Sequence, residues 1–331
     1  MTQRILVTGG AGYIGSVIVD QLLDRGLRVF VLDDLSTGHR AAVARRASFI
    51  QGNIGNRELV EAVLGQERID AIIHMAAFAL VAESVANPGK YVTNNVTAAR
   101  VLLDAAIRAK IRRFVFSSSC AVYGHPAVIP ITEDTPQEPV NPYGETKRDF
   151  EQLLGEFGSK HGLGVVSLRY FNAAGATEQR GEDHDPETHL IPNILRVALG
   201  KEPAVSVFGT DYPTADGTAV RDYIHIVDIA DAHVRALDVA LADGKPVALN
   251  LGTGTGQSVR QVVEVARRVT GKAIPTIERP RRPGDPPALV AAVQRAAGVL
   301  GWRTRHSSLE EILESAWQWH RAHPHGYRGG S

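Results

Sequence analysis

Two side chains near the middle of the sequence have the types and spacing needed for acid–base chemistry. Tyr143 and Lys147 are placed so that a helix beginning after Asn141-Pro142 carries both on one face. A phenol has a pKa of about 10, too high for a base at neutral pH, but a neighbouring ammonium favours the phenolate and lowers that pKa. The spacing is common by chance, so the surroundings must support this interpretation.

Further hydroxyl groups lie upstream, in Ser117-Ser118-Ser119, at the end of a predicted strand. A hydroxyl at that position could hydrogen-bond the same reacting oxygen as Tyr143. A strand that ends in serines and is followed by a helix with the Tyr–Lys pair is a much more specific pattern than the pair alone.

A glycine-rich turn near the N-terminus completes these surroundings. In Thr8-Gly-Gly-Ala-Gly-Tyr-Ile-Gly15 the glycines follow a predicted strand and begin a helix. Gly9 permits the tight turn, Gly12 lets the backbone approach a pyrophosphate, and Gly15 allows close packing of the helix on the strand. The helix N-terminus presents free N–H groups to the phosphates. The pattern predicts a dinucleotide site, and the alternative is an ordinary glycine-rich loop.

An acidic residue ends the second predicted strand, at the distance expected for a carboxylate that accepts from the adenosine ribose. This residue is Asp33, and Asp34 follows it. Two negative charges would repel a ribose 2′-phosphate, so NAD is predicted rather than NADP. The alternative is that Asp33 serves only as a helix cap or turn residue.

The elements that must position these residues follow a regular alternation of short apolar and longer amphipathic segments. This alternation predicts an α/β fold, a doubly wound parallel Rossmann sheet with helices on both faces. The predicted strands cover residues 5–7, 28–32, 47–51, 71–74, 114–117 and 165–169. The predicted helices cover residues 13–25, 58–64, 91–110 and 143–161.

After about residue 175 the alternation loosens and a smaller, mixed α/β C-terminal domain is predicted. Its helices are predicted at residues 190–199, 227–242, 259–270 and 309–321, its strands at 205–208, 247–251 and 275–277, and a loop at 279–287. We place the cofactor domain at residues 1–175, with later strand contributions near 220–251, and the substrate domain at 176–331.

The composition is that of an ordinary globular protein. The chain has 331 residues and zero formal net charge, which disfavours nucleic acid and anionic membrane surfaces as partners. It has no apolar segment of the roughly 20 residues that cross a bilayer, and no secretory signal pattern. The only cysteine, Cys120, excludes a disulfide framework and a multi-cysteine metal site. These features predict a cytoplasmic protein without a bound metal.

The chain resembles the extended short-chain dehydrogenases/reductases and, more narrowly, the UDP-glucose 4-epimerases. The similarity runs nearly end to end, and several of its motifs are specific to enzymes that act on nucleotide sugars. The motifs are Val7-Thr-Gly-Gly-Ala-Gly-Tyr-Ile-Gly-Ser16, Asp33-Asp-Leu-Ser-Thr-Gly38, Asn141-Pro-Tyr-Gly144, Arg169-Tyr-Phe-Asn172, Glu187-Thr-His-Leu-Ile-Pro192, Gly217-Thr-Ala-Val-Arg-Asp-Tyr-Ile-His225 and Arg281-Arg-Pro-Gly-Asp285.

The resemblance implies a catalytic role for each member of the set described above. NAD would stay bound and borrow a hydride from sugar C4, while Tyr143 takes the proton of the 4-hydroxyl. Ser119 would hydrogen-bond the C4 oxygen, and Lys147 would hold the cofactor ribose. Whether Tyr143 alone moves the proton or Ser119 relays it is left open.

The resemblance also implies a cofactor site and a UDP site. The residues implied for NAD are Gly9, Gly12, Tyr13, Ile14, Asp33, Asp34, Leu35, Ser36, Thr37, Gly38, Asn53, Ile54, Met75, Ala76, Ala77, Ala79, Asn94, Ser117, Ser118, Tyr143, Lys147, Tyr170 and Phe171. The residues implied for the UDP-sugar are Ser119, Tyr143, Asn172, His189, Leu190, Arg221, Arg282, Asp285 and Leu289.

Several of these residues have simpler interpretations. Arg282 could be a solvated charge, Arg221 could form a surface ion pair with Asp222, and His189 could cap the helix that follows it. His74, at the end of the fourth predicted strand, is expected to be structural rather than catalytic.

The sequence departs from the family pattern at three positions. Asn53 replaces the usual Asp that binds the adenine edge, and Ala79 replaces a Lys that some members place near the nicotinamide. Leu289 replaces a Tyr that narrows the sugar pocket in hexose-restricted members, which implies room for a 2-acetamido group.

Other activities on the same fold remain as alternatives. Cys120 and Ala121 stand where 4,6-dehydratases need an acid–base pair, which excludes that chemistry. A plain reductase, a UDP-pentose 4-epimerase and a non-catalytic NAD-binding scaffold stay open, although both Tyr143 and Lys147 are present. A homodimer built from the helices predicted at residues 91–110 and 143–161 is expected by analogy with the family.

Overall fold

The computed structural model describes residues 2–240, 245–282 and 284–329. Its centre is a parallel sheet of seven strands in the order β11–β6–β5–β4–β1–β2–β3. The strands are β1 (Arg4–Thr8), β2 (Arg28–Asp33), β3 (Ser48–Gln51), β4 (Ala71–His74), β5 (Arg113–Ser119), β6 (Gly164–Tyr170) and β11 (Val247–Leu251). The predicted doubly wound Rossmann sheet is confirmed.

Helices cover both faces of this sheet. They are α1 (Tyr13–Asp24), α2 (Arg57–Gln66), α3 (Val81–Ala86), α4 (Pro88–Tyr91), α5 (Ala99–Arg108), α6 (Pro142–His161) and α8 (Ile226–Val239). The end of the helix predicted at residues 227–242 lies outside the described residues. A π-helical segment, Val92–Ala98, joins α4 to α5, so the long helix predicted at residues 91–110 is not uniformly α-helical.

Successive strand residues alternate between two apolar cores, which explains why the strands are apolar along their whole length. Val7 and Val115 pack with α1 and α8 on one face, and Leu6 and Phe114 pack with α2, α5 and α6 on the other. Both layers are needed to hold the carboxyl ends of the strands at one edge, where the predicted site residues lie.

A buried ion pair attaches α6 to β6. The Arg169 guanidinium donates from Nε to Glu151 Oε1 at 3.0 Å and from Nη1 to the Tyr123 hydroxyl at 2.8 Å. The side chains of Arg169 and Glu151 are only 6% and 8% exposed. This pair fixes the helix that carries Tyr143 and Lys147 against the sheet.

The second half of the chain forms smaller sheets and a third apolar core. The remaining strands are β7 (Asn172–Ala174), β8 (Val205–Phe208), β9 (Val220–Arg221), β10 (Tyr223–His225), β12 (Gln257–Ser258), β13 (Thr276–Arg279) and β14 (Ala288–Leu289). The remaining helices are α7 (Leu190–Ala198), α9 (Val259–Thr270), α10 (Gln294–Leu300) and α11 (Leu309–Ala322). No helix in the described ranges is long and apolar enough to cross a membrane.

The sheet does not end where the predicted domain boundary falls. Strand β11 comes from the second half and pairs in parallel with β6, from Val247 opposite Val166 to Leu251 opposite Tyr170. The strand contribution expected near residues 220–251 is therefore β11, whereas β9 and β10 belong to small sheets. The division at residue 175 stays a prediction.

Candidate active site

The glycine turn between β1 and α1 has the shape that a pyrophosphate needs. Gly9 has φ +71°, and a Cβ there would lie 2.6 Å from the Ala76 nitrogen. A Cβ on Gly15 would lie 2.2 Å from the Gly9 carbonyl oxygen, so the helix can lie this close to the turn only with glycine at position 15. Gly12 caps α1 without a side-chain hydrogen bond. The first-turn N–H groups are therefore available to an anion, and the turn fits a dinucleotide.

Asp33 organises the loop next to this turn. Its carboxylate accepts from the Ala11 and Leu35 backbone nitrogens, each at 2.9 Å, and burial raises its pKa. Leu35 adopts φ +61°, a left-handed conformation that this contact supports. Asp33 thus stabilises this turn, and its contact with the adenosine ribose stays a prediction.

Asp34 and Asn53 form a pair across the same loop. Although burial opposes ionisation of Asp34, hydrogen bonds from Ser36 and Asn53 hold its pKa below the usual value. The Asn53 amide donates to Asp34 at 2.8 Å, and its carbonyl accepts from the Gly55 nitrogen at 2.8 Å. An Asp at position 53 would place two carboxylates together, which is a physical reason for the asparagine.

A cavity of about 440 Å³ adjoins two of the predicted cofactor residues, Asn53 and Asn94. The other lining residues are Phe78, Gly89, Lys90, Thr93 and Ala98. The Lys90 ammonium lies 4.1 Å from the centre of the Phe78 ring. Phe78, Lys90 and Thr93 were not predicted from the sequence, because α4 and the π-helical segment fold this stretch back beside the loop after β4, which no local pattern indicates.

The catalytic candidates meet at the carboxyl end of β5. Asn141 caps α6 by accepting from the Gly144 nitrogen at 2.9 Å, which starts the helix just before Tyr143. Lys147 is buried and donates to the Ser117 carbonyl at 2.7 Å, with its Nζ 5.7 Å from the centre of the Tyr143 ring. Ser119 lies near enough to the Tyr143 hydroxyl to lower its pKa. The three predicted residues are therefore brought together.

Burial dominates the electrostatics of this group. It raises the pKa of Tyr143 well above the usual value, although the nearby Ser119 hydroxyl lowers it. Burial lowers the pKa of Lys147 to about 7, while the Glu151 carboxylate raises it. The pKa of Tyr143 is therefore raised, not lowered as the Tyr–Lys spacing predicts, because desolvation is the largest effect on the phenol. A further positive charge beside the phenol would favour its ionisation.

The three serines of β5 have different surroundings because side chains alternate along a strand. Ser117 hydrogen-bonds the Tyr170 hydroxyl, and Ser119 faces Tyr143. Ser118 instead donates to Glu151, in the ion-pair network. Its hydroxyl is already engaged by that carboxylate, and a contact of Ser118 with the cofactor stays a prediction.

Arg221 and Asp285, both predicted to hold UDP, form an ion pair with each other. The alternative pairing of Arg221 with Asp222 is wrong, because the Asp222 carboxylate is buried and accepts from the Thr253 and Gly254 nitrogens. Arg221 also lies near enough to Cys120 to lower the thiol pKa, which burial raises to about 12. The predicted UDP residues therefore reach the end of β5.

Other predicted substrate residues lie around this pair. The exposed Arg282 places its guanidinium 4.2 Å from the centre of the Phe208 ring, so it is not simply solvated. Asn172 begins β7, and Leu289, in β14, packs near Phe171. Leu190 begins α7 and packs on the third core.

His189 does not have one of its two expected roles, the helix cap. It occupies the cap position of α7 but its side chain makes no capping bond. Its Nδ1 lies 2.8 Å from carboxylate oxygens of both Glu182 and Glu187, in a cluster that includes His184. The helix-cap interpretation is wrong, and contact with the nucleotide stays a prediction. The signal for the cluster was the spacing Glu-x-His-x-x-Glu-x-His.

His74 is structural, as expected. Its ring is buried and packs on Phe116. Its Nδ1 forms a hydrogen bond of 2.7 Å with the Thr8 hydroxyl. Burial lowers its pKa to about 3. The ring therefore stays neutral within the core between β1 and β4.

Comparisons with known proteins agree with this arrangement. A model of the NAD dependent epimerase/dehydratase family matches residues 5–252. The UDP-glucose 4-epimerase of Lactobacillus helveticus is 49% identical over 326 residues, covering 98% of this chain and 99% of that protein.

Two solved structures are also similar over nearly their whole length. The UDP-glucose 4-epimerase from Brucella ovis, in complex with NAD, is 44% identical with a TM-score of 0.93, covering 98% of this chain and 99% of that one. The enzyme from Bifidobacterium longum, in complex with NAD+ and UDP, is 37% identical with a TM-score of 0.93, covering 98% and 100%. The chain belongs to the NAD dependent epimerase/dehydratase family.

Proposed function

We propose that the protein is an isomerase that interconverts UDP-galactose and UDP-glucose at C4, with NAD as a resident cofactor. The observation that carries this proposal is the buried group of Tyr143, Ser119 and Lys147 at the carboxyl end of β5, two strands from β1 and its glycine turn. The 49% identity to a UDP-glucose 4-epimerase over nearly the whole chain indicates the substrate class.

Each residue of the group has a separate task. Tyr143 accepts the proton of the 4-hydroxyl and later returns it, and Ser119 donates a hydrogen bond to the C4 oxygen. When bound, NAD supplies a hydride acceptor whose cationic ring also favours the phenolate. Lys147 holds its ammonium on the Ser117 carbonyl, ready to donate to the cofactor ribose.

Residues of the second half would hold the UDP group. Arg221 and Arg282 carry the paired N–H groups that suit phosphate oxygens, and Asp285 can accept from the uridine ribose. Asn172, His189, Leu190 and Leu289 complete the proposed pocket. The ion pair between Arg221 and Asp285 holds these two side chains close together, where each can contact the same nucleotide.

The direct test incubates the purified protein with UDP-galactose, without added NAD, and follows formation of UDP-glucose. We expect turnover, and we expect Tyr143→Phe to lose nearly all of it while keeping bound NAD. Tyr327→Phe, a phenol whose oxygen bonds the Gly181 backbone instead, is the matched control. Full activity in Tyr143→Phe would contradict the mechanism, and absence of turnover in the unchanged protein would favour a non-catalytic NAD-binding scaffold.

We propose that the pocket also accepts UDP-N-acetylgalactosamine, because Leu289 stands where hexose-restricted relatives carry Tyr. Leu289→Tyr should lower turnover of the N-acetylated sugar and leave that of UDP-galactose nearly unchanged. Turnover of UDP-galactose alone by the unchanged protein would contradict this extension. Preference for a UDP-pentose over both hexoses would favour the UDP-pentose 4-epimerase alternative.

We further propose a cytoplasmic homodimer in which α5 and α6 of each chain form the contact. Sedimentation equilibrium measures the assembly, and a monomer at every concentration would contradict it. Cell fractionation tests the location.

A further inference from the structure

A compact cluster of four side chains lies outside the catalytic group, in the segment that leads into α7. Glu182, His184, Glu187 and His189 each offer one ligand atom, and these atoms all lie within 4.8 Å of one another. His189 Nδ1 is 2.8 Å from oxygens of both carboxylates, and His184 Nδ1 is 3.2 Å from Glu182 Oε1 and 3.8 Å from Glu187 Oε2.

These separations are close enough for the four atoms to become ligands of one metal ion. Zinc binds imidazole nitrogen and carboxylate oxygen at about 2.0–2.1 Å, which places tetrahedral ligands about 3.3 Å apart. The distances in the cluster lie on both sides of that value, so one ion could sit among all four atoms after small side-chain movements.

The charge of the cluster is also compatible with a divalent cation in place of the two histidine protons. The Glu182 and Glu187 side chains are only 6% and 2% exposed, and buried carboxylates need a compensating charge. In the part of the chain that the structure describes, the ion pairs of both carboxylates involve only His184 and His189. With neutral imidazoles, one divalent ion would balance the two carboxylates.

We propose that this cluster is a structural zinc site. Two imidazole nitrogens favour zinc over calcium or magnesium, and four protein ligands leave no open position for substrate. The cysteine count did not indicate this site, because its ligands are not cysteines but the glutamate and histidine residues of Glu-x-His-x-x-Glu-x-His.

The position of the site indicates what the ion does. His184 lies edge-on to Tyr13 at 6.1 Å, and the Tyr13 hydroxyl donates to the Gly175 carbonyl. Gly181, next to Glu182, contacts the Trp319 ring, since a Cβ there would lie 2.0 Å from the indole. A zinc ion would therefore fix the segment between α1, which follows the glycine turn, and α7.

The experiment uses full-length protein without a histidine tag, stripped with EDTA and then titrated with zinc. We expect one ion per chain by mass spectrometry after gel filtration, and a rise in Tm of about 5 °C at a zinc concentration about 100-fold above Kd. Cobalt in place of zinc should give the visible spectrum of a four-coordinate site with nitrogen and oxygen ligands.

Two variants and one control separate the cluster from adventitious binding. His184→Gln and Glu182→Gln should each lose the Tm rise and most of the bound zinc, whereas the exposed His161→Gln should retain both. Equal zinc binding by His184→Gln and the unchanged protein would overturn the proposal. So would a stripped protein whose Tm and cobalt spectrum do not respond to metal, since the cluster would then be an ion-pair network only.

Discussion

Replacing Glu151 by Gln removes the charge of one member of the buried ion pair between α6 and β6 and keeps nearly the same volume. Its carboxylate accepts from Arg169 and Ser118, and from the Gln137 amide at 2.9 Å. The variant leaves the Arg169 guanidinium buried with the Tyr123 hydroxyl and the Glu133 carbonyl as remaining partners.

The magnitude follows from the burial of both partners. Removing one member of a buried pair costs about 3–5 kcal/mol because the other charge stays in a low-dielectric interior. Since Arg169 keeps two polar partners, the lower end applies, about 3 kcal/mol. With an m-value of about 3 kcal/mol per molar urea, the unfolding midpoint should fall by about 1 M.

The same α6 helix offers a matched control. Asp149 pairs with Arg148, but its side chain is 45% exposed, so Asp149→Asn should cost at most about 0.5 kcal/mol. Urea unfolding followed by tryptophan fluorescence compares the two variants with the parent. A midpoint shift for Glu151→Gln no larger than that for Asp149→Asn would refute the reasoning.

A second measurement on this variant concerns the catalytic group. Burial lowers the pKa of Lys147 and Glu151 opposes that effect, so removing the carboxylate lowers the pKa further below about 7. Less of Lys147 is then protonated at neutral pH in the ligand-free protein. As the pH rises, cofactor binding should therefore begin to weaken at a lower pH in Glu151→Gln than in Asp149→Asn.

Gly15→Ala should lower the free energy of unfolding by about 3 kcal/mol and abolish NAD retention, because the new Cβ would meet the Gly9 carbonyl oxygen. Gly155→Ala, at a position with open space around it, should instead stabilise α6 by about 0.5–1 kcal/mol. Calorimetry and cofactor absorbance measure both, and a Gly15→Ala protein with normal NAD content would contradict the fit of the turn. Burial lowers the pKa of His233 to about 4, so between pH 6.5 and about 4 the unfolded state binds one more proton than the folded state. In that range the free energy of unfolding should fall by about 1.4 kcal/mol for each unit by which the pH decreases. His233→Leu should reduce that slope, and an unchanged slope in urea titrations would disprove its origin. Lys90→Met should weaken NAD binding roughly threefold to tenfold, because it removes a cation from the cavity beside Asn94. An unaltered Kd for NAD would contradict a cofactor contact in this cavity.

The sequence predicted those elements whose signals are local. The strands at residues 71–74, 205–208 and 247–251 and the helix at residues 259–270 have the predicted bounds. In the last case a capping box, Ser258 with Gln261, marks the first turn. The glycine turn and the Tyr–Lys spacing were recognisable for the same reason.

Features that depend on distant partners were missed. Helices α3 and α10 are short and carry weak periodicity, so only packing defines them. The pairing of Arg221 with Asp285 and the direction of the Ser118 hydroxyl depend on contacts between segments far apart in the chain. The raised pKa of Tyr143 reflects burial, which a pattern of residue types does not measure.

The origin of strand β11 has a consequence for synthesis of the chain on the ribosome. Strand β6 is complete at Tyr170, but its outer partner, Val247–Leu251, is translated much later. Until then the nascent chain carries an apolar strand with unpaired N–H and carbonyl groups, the kind of edge that recruits strands from other molecules. The yield of folded protein in overexpressing cells should therefore depend on how long the edge of β6 stays unpaired. A translational pause placed between these two strands should increase aggregation.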